Sequence, residues 1–416
     1  MSTFASLFPR SAFGERPVAI LDGGMGTTLQ APPFNLPLDS SLWSSELLAT
    51  DTGRAQLRTL HQLWVNSGAE VVGSCTYQSC LPLFLPPKQE DAQYTQAEVE
   101  TAKHTMNSAL PIVTRNFDSS PSSTKRTPIR SALSLGPFGA VLSPGQEYSG
   151  RYPPPYGTSP TPSVVPYSLS ASRVAVSPLE SQILPSSDAQ EDALVSFHLS
   201  RLDHLSQSAS FSLVSLLAFE TIPIIREARA IRRAVSILRR ARPTQPQTPF
   251  YLSFVFPVDN EGHARCPDES LLHLKSGSAE LADAIIEASF AARDGQDVPN
   301  GIGVNCTSPL EIMGIIDELS GAISRAPELA SAPWLVLYPD GGSVYDVVSR
   351  TWSSPDGLDD NVWASKVTDG VQAALGKNNS DGKPTFGGVL AGGCCKAGPE
   401  AISALRSECQ SRGLVR

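Results

Sequence analysis

Three cysteines are the residues best placed to do chemistry in this chain of 416 residues. Cys394 and Cys395 are adjacent and follow Gly392-Gly393, at the end of the apolar run that starts at Gly387. A run of this kind fits a buried strand whose tip opens into a site, because residues without a Cβ allow a tight turn or the close approach of a ligand. Neighbouring thiols do not easily bridge each other, but at a sharp turn both can face one soft metal ion. Zinc takes three or four ligands. The candidate for the third is Cys306, which closes another apolar run, Gly301-Ile302-Gly303-Val304-Asn305. The plainer reading is a pair of inert buried thiols, since the spacing matches no zinc-finger pattern. Position favours the metal: both segments read as strand ends, where parallel barrels collect their chemistry.

The elements that must position these thiols can be read from eight apolar runs, each ending in Gly, Pro or polar residues. They are Val18 to Leu21, Ala69 to Tyr77, Ala132 to Gly139, Leu213 to Glu220, Phe250 to Phe256, Gly301 to Cys306, Trp334 to Asp340 and Phe386 to Cys395. Between them lie helical patterns, such as Leu57, Leu60, Leu63 and Trp64 on one face, Ile225 to Arg239, and Ala279 to Ala292. Alternating strand and helix predicts a parallel sheet, and eight units predict a closed (β/α)8 barrel of the TIM type. An open doubly wound sheet is the alternative, but Asp22-Gly23-Gly24-Met25-Gly26 lacks the Gly-x-Gly-x-x-Gly spacing of dinucleotide binders. We expect a single domain over residues 1–416. Two Pro/Ser-rich surface insertions interrupt it, at about 116–130 and 152–192.

Composition narrows the function. A formal net charge of -9 leaves no basic stripe to neutralise phosphates, which argues against nucleic acid. No apolar run reaches the length of a membrane helix. Met1 to Pro17 lacks the basic start and apolar middle of a secretory signal, although its arginines and serines leave a mitochondrial leader open. Seven scattered cysteines in a long chain do not make a disulfide scaffold. The expected location is the cytoplasm, and the expected partners are small molecules. Oligomeric state stays open.

The motifs in order then resemble those of the zinc-dependent homocysteine S-methyltransferases. The pieces are Asp22-Gly23-Gly24-Met25-Gly26-Thr27, Thr76-Tyr77-Gln78-Ser79, Gly136-Pro137-Phe138-Gly139-Ala140, Glu147-Tyr148-Ser149-Gly150, Phe219-Glu220-Thr221-Ile222-Pro223, Gly303-Val304-Asn305-Cys306 and Gly392-Gly393-Cys394-Cys395. The third and fourth pieces, Gly136-Pro137-Phe138-Gly139 and Glu147-Tyr148-Ser149-Gly150, are similar to the branch that uses S-methylmethionine or S-adenosylmethionine. The resemblance implies that Cys306, Cys394 and Cys395 bind Zn2+. It implies that Asp22, Gly23, Gly24 and Glu220 hold the amino-acid end of homocysteine, with Asp22 and Glu220 the catalytic carboxylates. Thr76, Tyr77 and Asn305 complete the expected substrate-binding set, Asn305 also orienting Cys306. Asp340-Gly341-Gly342-Ser343 departs from the family pattern of Asn, a small residue, Gly and Glu.

The chemistry so implied is methyl transfer from a sulfonium to a thiol. A free thiol is mostly protonated at neutral pH, and the thiolate is the nucleophile. Three cysteinates around Zn2+ leave a net charge of −1, so a fourth sulfur bound there keeps much of its nucleophilicity. Backbone N–H groups of Gly23 and Gly24 are expected to take the carboxylate, and Tyr77 and Phe138 to line the donor pocket, where an aromatic face attracts a sulfonium. Alternatives are a betaine-dependent or a selenocysteine methyltransferase, or a non-catalytic zinc or thiol barrel with Cys75 or Cys80 as fourth ligand. Otherwise Cys75, Cys80, Cys266 and Cys409 read as plain thiols.

Overall fold

The computed structural model describes residues 4–9, 17–88, 92–115, 117, 128–159, 177–258, 263–275, 277–326, 329, 331–343, 345–346, 351–352 and 357–415. Each apolar run contains a strand: β1 (Val18–Ile20), β2 (Val71–Gly73), β3 (Arg130–Leu135), β4 (Leu216–Ile222), β5 (Phe250–Phe254), β6 (Gly301–Asn305), β7 (Trp334–Tyr338) and β8 (Val389–Ala391). The strands pair in parallel in the order β1-β8-β7-β6-β5-β4-β3-β2. A parallel bridge between Leu21 and Val71, with the Asp22 N–H donating to Val71 O at 3.1 Å, joins the two ends. The barrel is therefore the (β/α)8 type.

One long helix follows each strand: α1 (Asp51–Asn66), α2 (Gln96–Asn107), α3 (Ala189–Ser206), α4 (Ile225–Ala241), α5 (Ala279–Phe290), α6 (Ile312–Arg325), α7 (Asp360–Gly376) and α8 (Pro399–Ser411). Several start at side-chain caps: Thr50 accepts from Gly53 N, and Asp188 from Gln190 and Glu191 N. In α4, Ala228, Ile231, Val235 and Leu238 recur at helical spacing on the buried face. Arg226, Arg229 and Arg233 point the other way and pair with Asp188, Glu191 and Asp192. Among the described residues no helix is long and apolar enough to cross a membrane.

Side chains alternate across every strand, so the apolar residues divide into two clusters. Ile302, Val304, Leu335 and Leu337 face the helices. Ala19, Ala132, Leu216, Ala218, Tyr251, Trp334, Val336, Tyr338 and Leu390 fill the barrel. The N-terminal turn Phe4–Leu7 closes the lower mouth. Phe4 and Phe8 are each only 1% exposed, with ring centroids 5.2 and 5.0 Å from that of Trp334.

The insertion boundaries need correcting. Arg130 opens β3, and Ala189 to Asp192 form the first turn of α3. Tyr152 is fully buried, its hydroxyl donating to Glu227 Oε2 at 2.6 Å, and the buried Ser177 donates to Asp203 Oδ2 at 2.6 Å. Residues with polar partners in the core thus anchor both ends of a stretch whose Pro/Ser composition reads as surface. Residues 116, 118–127 and 160–176 lie outside the described residues.

Candidate active site

At the C-terminal ends of the strands opens a cavity of about 810 Å3. Glu220 reaches it by strand parity, since Leu216 and Ala218 on the same face also point into the barrel. The β4–β5 register shifts between Phe219 and Ile222, and Thr221 there takes a left-handed φ of 58°. Bulges of this kind re-aim side chains beside active sites. Among the described residues, six non-glycine residues have positive φ, and five of them (Leu38, Trp43, Thr221, Cys306 and Lys396) line the cavity. Such backbone costs about 1–3 kcal/mol per residue and persists only where the surroundings enforce it. For Thr221 the enforcer is Asn305. Its Oδ1 accepts from Thr221 N, and its Nδ2 donates to Thr221 Oγ1, both at 2.8 Å.

The three expected thiols converge. Cys306 at the tip of β6 and Cys394-Cys395 beyond β8 place their sulfurs within 4.8 Å of one another. Cys306 and Cys394 are joined as a disulfide, with Cα atoms 5.5 Å apart. A disulfide and a shared metal are alternative states of such a pair, because a bonded pair has no thiolate to offer. The tip of β7 clamps the cysteine turn: Cys394 N donates to Pro339 O and Gly341 N to Cys395 O, both at 2.8 Å. Asp340 holds this clamp in shape by accepting from Gly342 N at 2.8 Å.

Gly23 and Gly24 are required by the β8 loop running across them. A Cβ on Gly23 would stand 2.3 Å from Ala397 O, and one on Gly24 2.4 Å from Cys394 O. The Gly24 N–H donates to Ala397 O at 3.0 Å. That is a correction: this N–H holds the loop and does not take a substrate carboxylate.

Asp22, only 7% exposed, accepts from Gly73 N at 2.7 Å, yet burial pushes its carboxyl up to about 7. Burial pushes Glu220 up to about 8; a hydrogen bond from Ser134 opposes the shift and the Asp22 charge adds to it. Burial, reinforced by Asp340 and Glu147, pushes the Cys395 thiol up to about 12. Among the described residues, the cavity wall carries Asp22, Asp39, Glu147 and Glu220 against a single cation, Lys396. Acids and thiols held in their neutral forms by burial ionise when a cation arrives. The donor set therefore fits a soft metal at the three sulfurs and an ammonium group at the carboxylates.

Not every expected residue reaches the cavity. Tyr77 lines it, edge-on to Trp43 with centroids 6.4 Å apart. Thr76 lies behind the wall, fully buried, its hydroxyl donating to Ser134 O at 2.7 Å. Asn305 is likewise fully buried and acts on Thr221. Phe138 is in the core, stacked on Tyr156 at 3.8 Å, its N–H donating to Glu227 Oε1 at 2.6 Å. Cys75 and Cys80 are buried outside the sulfur group, and burial pushes their thiols up to about 12 and 11. Neither serves as a fourth ligand there.

Four aromatic residues of the cavity were given no role above: Trp43, Tyr148, Tyr251 and Tyr338. The acid Glu147 was quoted in a motif without a task. Another missed residue acts from behind. Arg201, fully buried on α3, donates to the backbone oxygens of Thr76, Tyr77, Ser79 and Gly136 at 2.6–3.2 Å. It fixes the loops that carry Tyr77.

Comparison with known proteins agrees with this fold. Residues 19–409 match the family model described as homocysteine S-methyltransferase. Homocysteine S-methyltransferase 2 of Arabidopsis thaliana is 25% identical over 397 residues, covering 95% of this chain and 93% of the relative. Homocysteine S-methyltransferase YbgG of Bacillus subtilis is 25% identical over 400 residues, covering 95% of each chain. The homocysteine methyltransferase MmuM of Escherichia coli shares the fold. Its oxidised form aligns with a TM-score of 0.53 at 20% identity over 94% of this chain and 95% of that one, and its metallated form with 0.51 at 20% over 94% and 96%. With the family model matched from the first strand to the last helix, the chain belongs to the homocysteine S-methyltransferase family and is a methyltransferase acting on homocysteine.

Proposed function

We propose that the methyl donor is a sulfonium, S-methylmethionine or S-adenosylmethionine, and that the reaction depends on Zn2+ held by Cys306, Cys394 and Cys395. The observation that carries this reading is the approach of three sulfurs to within 4.8 Å of one another beside two carboxyls that burial keeps neutral. The metallated form of MmuM supports a metal in the same fold. Zinc held by these three cysteines would supply the Lewis acidity that keeps a substrate thiol as thiolate near neutral pH.

The protein's own groups supply the positioning. Glu220 takes the homocysteine ammonium, and that cation draws the carboxyl into its ionised form. Asp22, fixed by the Gly73 N–H, assists. Tyr251 and Tyr338 line the cavity below Glu220 and exclude water from it. The transfer closes its own balance: the thiol proton has left to solvent, a new S–CH3 bond forms, and the old one breaks with its electron pair staying on the donor sulfur. An anion and a cation become two neutral thioethers. In-line displacement then needs only alignment of the two sulfurs and the methyl carbon.

The test is Cys394→Ser in reduced protein, with metal content and turnover read on one sample. Loss of bound zinc together with a fall of at least about a thousandfold in methionine formation is expected; full turnover in a metal-free variant overturns the zinc reading. A panel of S-methylmethionine, S-adenosylmethionine and betaine reads the donor. Selenocysteine belongs among the acceptors, because one relative, 24% identical, carries the name selenocysteine Se-methyltransferase.

A further inference from the structure

Asp22 and Glu220 are close enough to raise one another's charge cost, and together they answer for one ammonium group. A sulfonium reaction brings a second positive centre, and beyond the thiolate that attacks it the roles assigned so far give it no carboxylate of its own. Two acids of the cavity wall are unclaimed, Asp39, which is exposed, and Glu147, which is not. Glu147 sits on the loop after β3, and its Oε2 is shut off from solvent with no hydrogen-bond partner among the described residues. A buried carboxylate oxygen without a donor is costly unless something charged arrives.

The loop is shaped to present this group. Gly139 lets it lie flat, since a Cβ there would stand 2.6 Å from the Gln146 backbone carbonyl carbon. Gln146 N donates to Gly139 O at 2.9 Å, and Gly150 N to Gln146 O at 2.8 Å. Gly145 leaves the space into which the carboxylate folds, because a Cβ would stand 2.4 Å from Oε2. The loop is tied down by the buried Glu227, which accepts from Phe138 N before it and Tyr152 Oη after it, both at 2.6 Å. Two rings are close enough to feel its charge, Tyr148 and Tyr77, and Trp43 meets Tyr77 edge-on along the same cavity wall. Aromatic faces and one unpaired carboxylate are the surroundings that favour a polarisable, weakly hydrated cation.

We propose that Glu147, with Tyr148, Tyr77 and Trp43, forms the subsite for the positive sulfur of the methyl donor. This inference rests on the sulfonium reading above. Burial pushes the empty carboxyl up to about 7, so a cation is needed to ionise it fully near neutral pH. The physics also says which step the group serves. The positive charge on the donor sulfur is greatest before transfer and vanishes after it, so a fixed anion holds the donor more tightly than the transition state. Its removal weakens donor binding and leaves kcat intact or slightly higher.

The test uses full-length zinc-loaded protein. Glu147→Gln is expected to raise the KM for S-methylmethionine or S-adenosylmethionine by about tenfold or more, the loss typical of one charge-assisted contact. The KM for homocysteine stays within about twofold, and Glu147→Asp recovers part of the loss. The trimethylsulfonium ion, which carries the positive sulfur and nothing else, is expected to inhibit Glu147→Gln about tenfold more weakly than the parent. Gly145→Ala, which moves the carboxylate without removing it, raises the donor KM in the same direction. An unchanged donor KM and trimethylsulfonium inhibition constant in Glu147→Gln overturn the inference, as does a rise confined to the homocysteine KM. Parent protein that transfers from neither sulfonium overturns the donor reading itself, so the two failures are told apart.

Discussion

The two mouths of one barrel are built on opposite terms. At the lower mouth Phe4 and Phe8 stack against Trp334, all at most 4% exposed. The upper mouth gathers the three sulfurs, four carboxyl groups and five left-handed non-glycine residues around open space. Strand β7 contributes to both: Trp334 enters the plug, Tyr338 lines the cavity, and Pro339 clamps Cys394. Apolar packing stabilises the lower end. The upper end stores buried acid and strained backbone in readiness for cations. The difference teaches that stability and reactivity are separated along the barrel axis, within strands only a few residues long.

The largest effect that could break this contrast is at Glu220. Glu220→Gln is expected to lower kcat/KM for homocysteine about a hundredfold, by removing a charge-assisted contact to the ammonium. The same change should stabilise the ligand-free protein. The folded carboxyl, raised to about 8, holds its proton where the unfolded one, near its ordinary value, has lost it. Stability therefore falls as pH rises from about 4.5 to about 8 and levels off above. Asp22, raised to about 7, adds a second loss of the same sign. Denaturation curves across that range should show a shallower decline in Glu220→Gln. An identical decline would mean that Glu220 is not held neutral.

A smaller effect is expected at Asn305, which shapes the site without lining the cavity. Asn305→Ala releases Thr221, whose hydroxyl stands 4.0 Å from Cys306 Sγ. Metal affinity should fall about tenfold to a hundredfold, as for other residues that orient ligands, while turnover at saturating zinc falls less. Zinc titration against a competing chelator reads the difference; unchanged affinity would place Asn305 outside the metal's support. The smallest functional effect belongs to the lower mouth. Phe4→Ala should cost about 3 kcal/mol in urea unfolding, as for other buried Phe→Ala changes, with both KM values unchanged. A shifted homocysteine KM would show that the plug reaches the site.

The fold was legible because parallel strands covered on both faces are near-continuous apolar runs, and all eight runs contain one. The sulfur group was legible because Gly392-Gly393-Cys394-Cys395 and Asn305-Cys306 both stand at strand ends. Tyr251 and Tyr338 were not. In a strand buried on both faces, no polarity pattern says which residues point to the axis. Phe138 and Thr76, in the turns beyond β3 and β2, were misplaced because they sit beside site residues in the chain but face the core. Gly24 was assigned to substrate because an N–H in a glycine turn looks free until the loop after β8 is laid across it. The ends of the second insertion were misread because Tyr152 and Ser177 find their partners, Glu227 and Asp203, far along the chain.

The amino-acid order alone determined the alternation of strand and helix, the eight-fold count and the thiols that stand at strand tips. Those features depend on local periodicity and on turn residues, which are written within a few positions of where they act. Tertiary structure alone decided which carboxylates lose their water, which backbone is strained, and that Glu147 has an oxygen without a partner. Burial and hydrogen-bond saturation belong to the assembled neighbourhood, and its members here lie up to hundreds of residues apart in the chain.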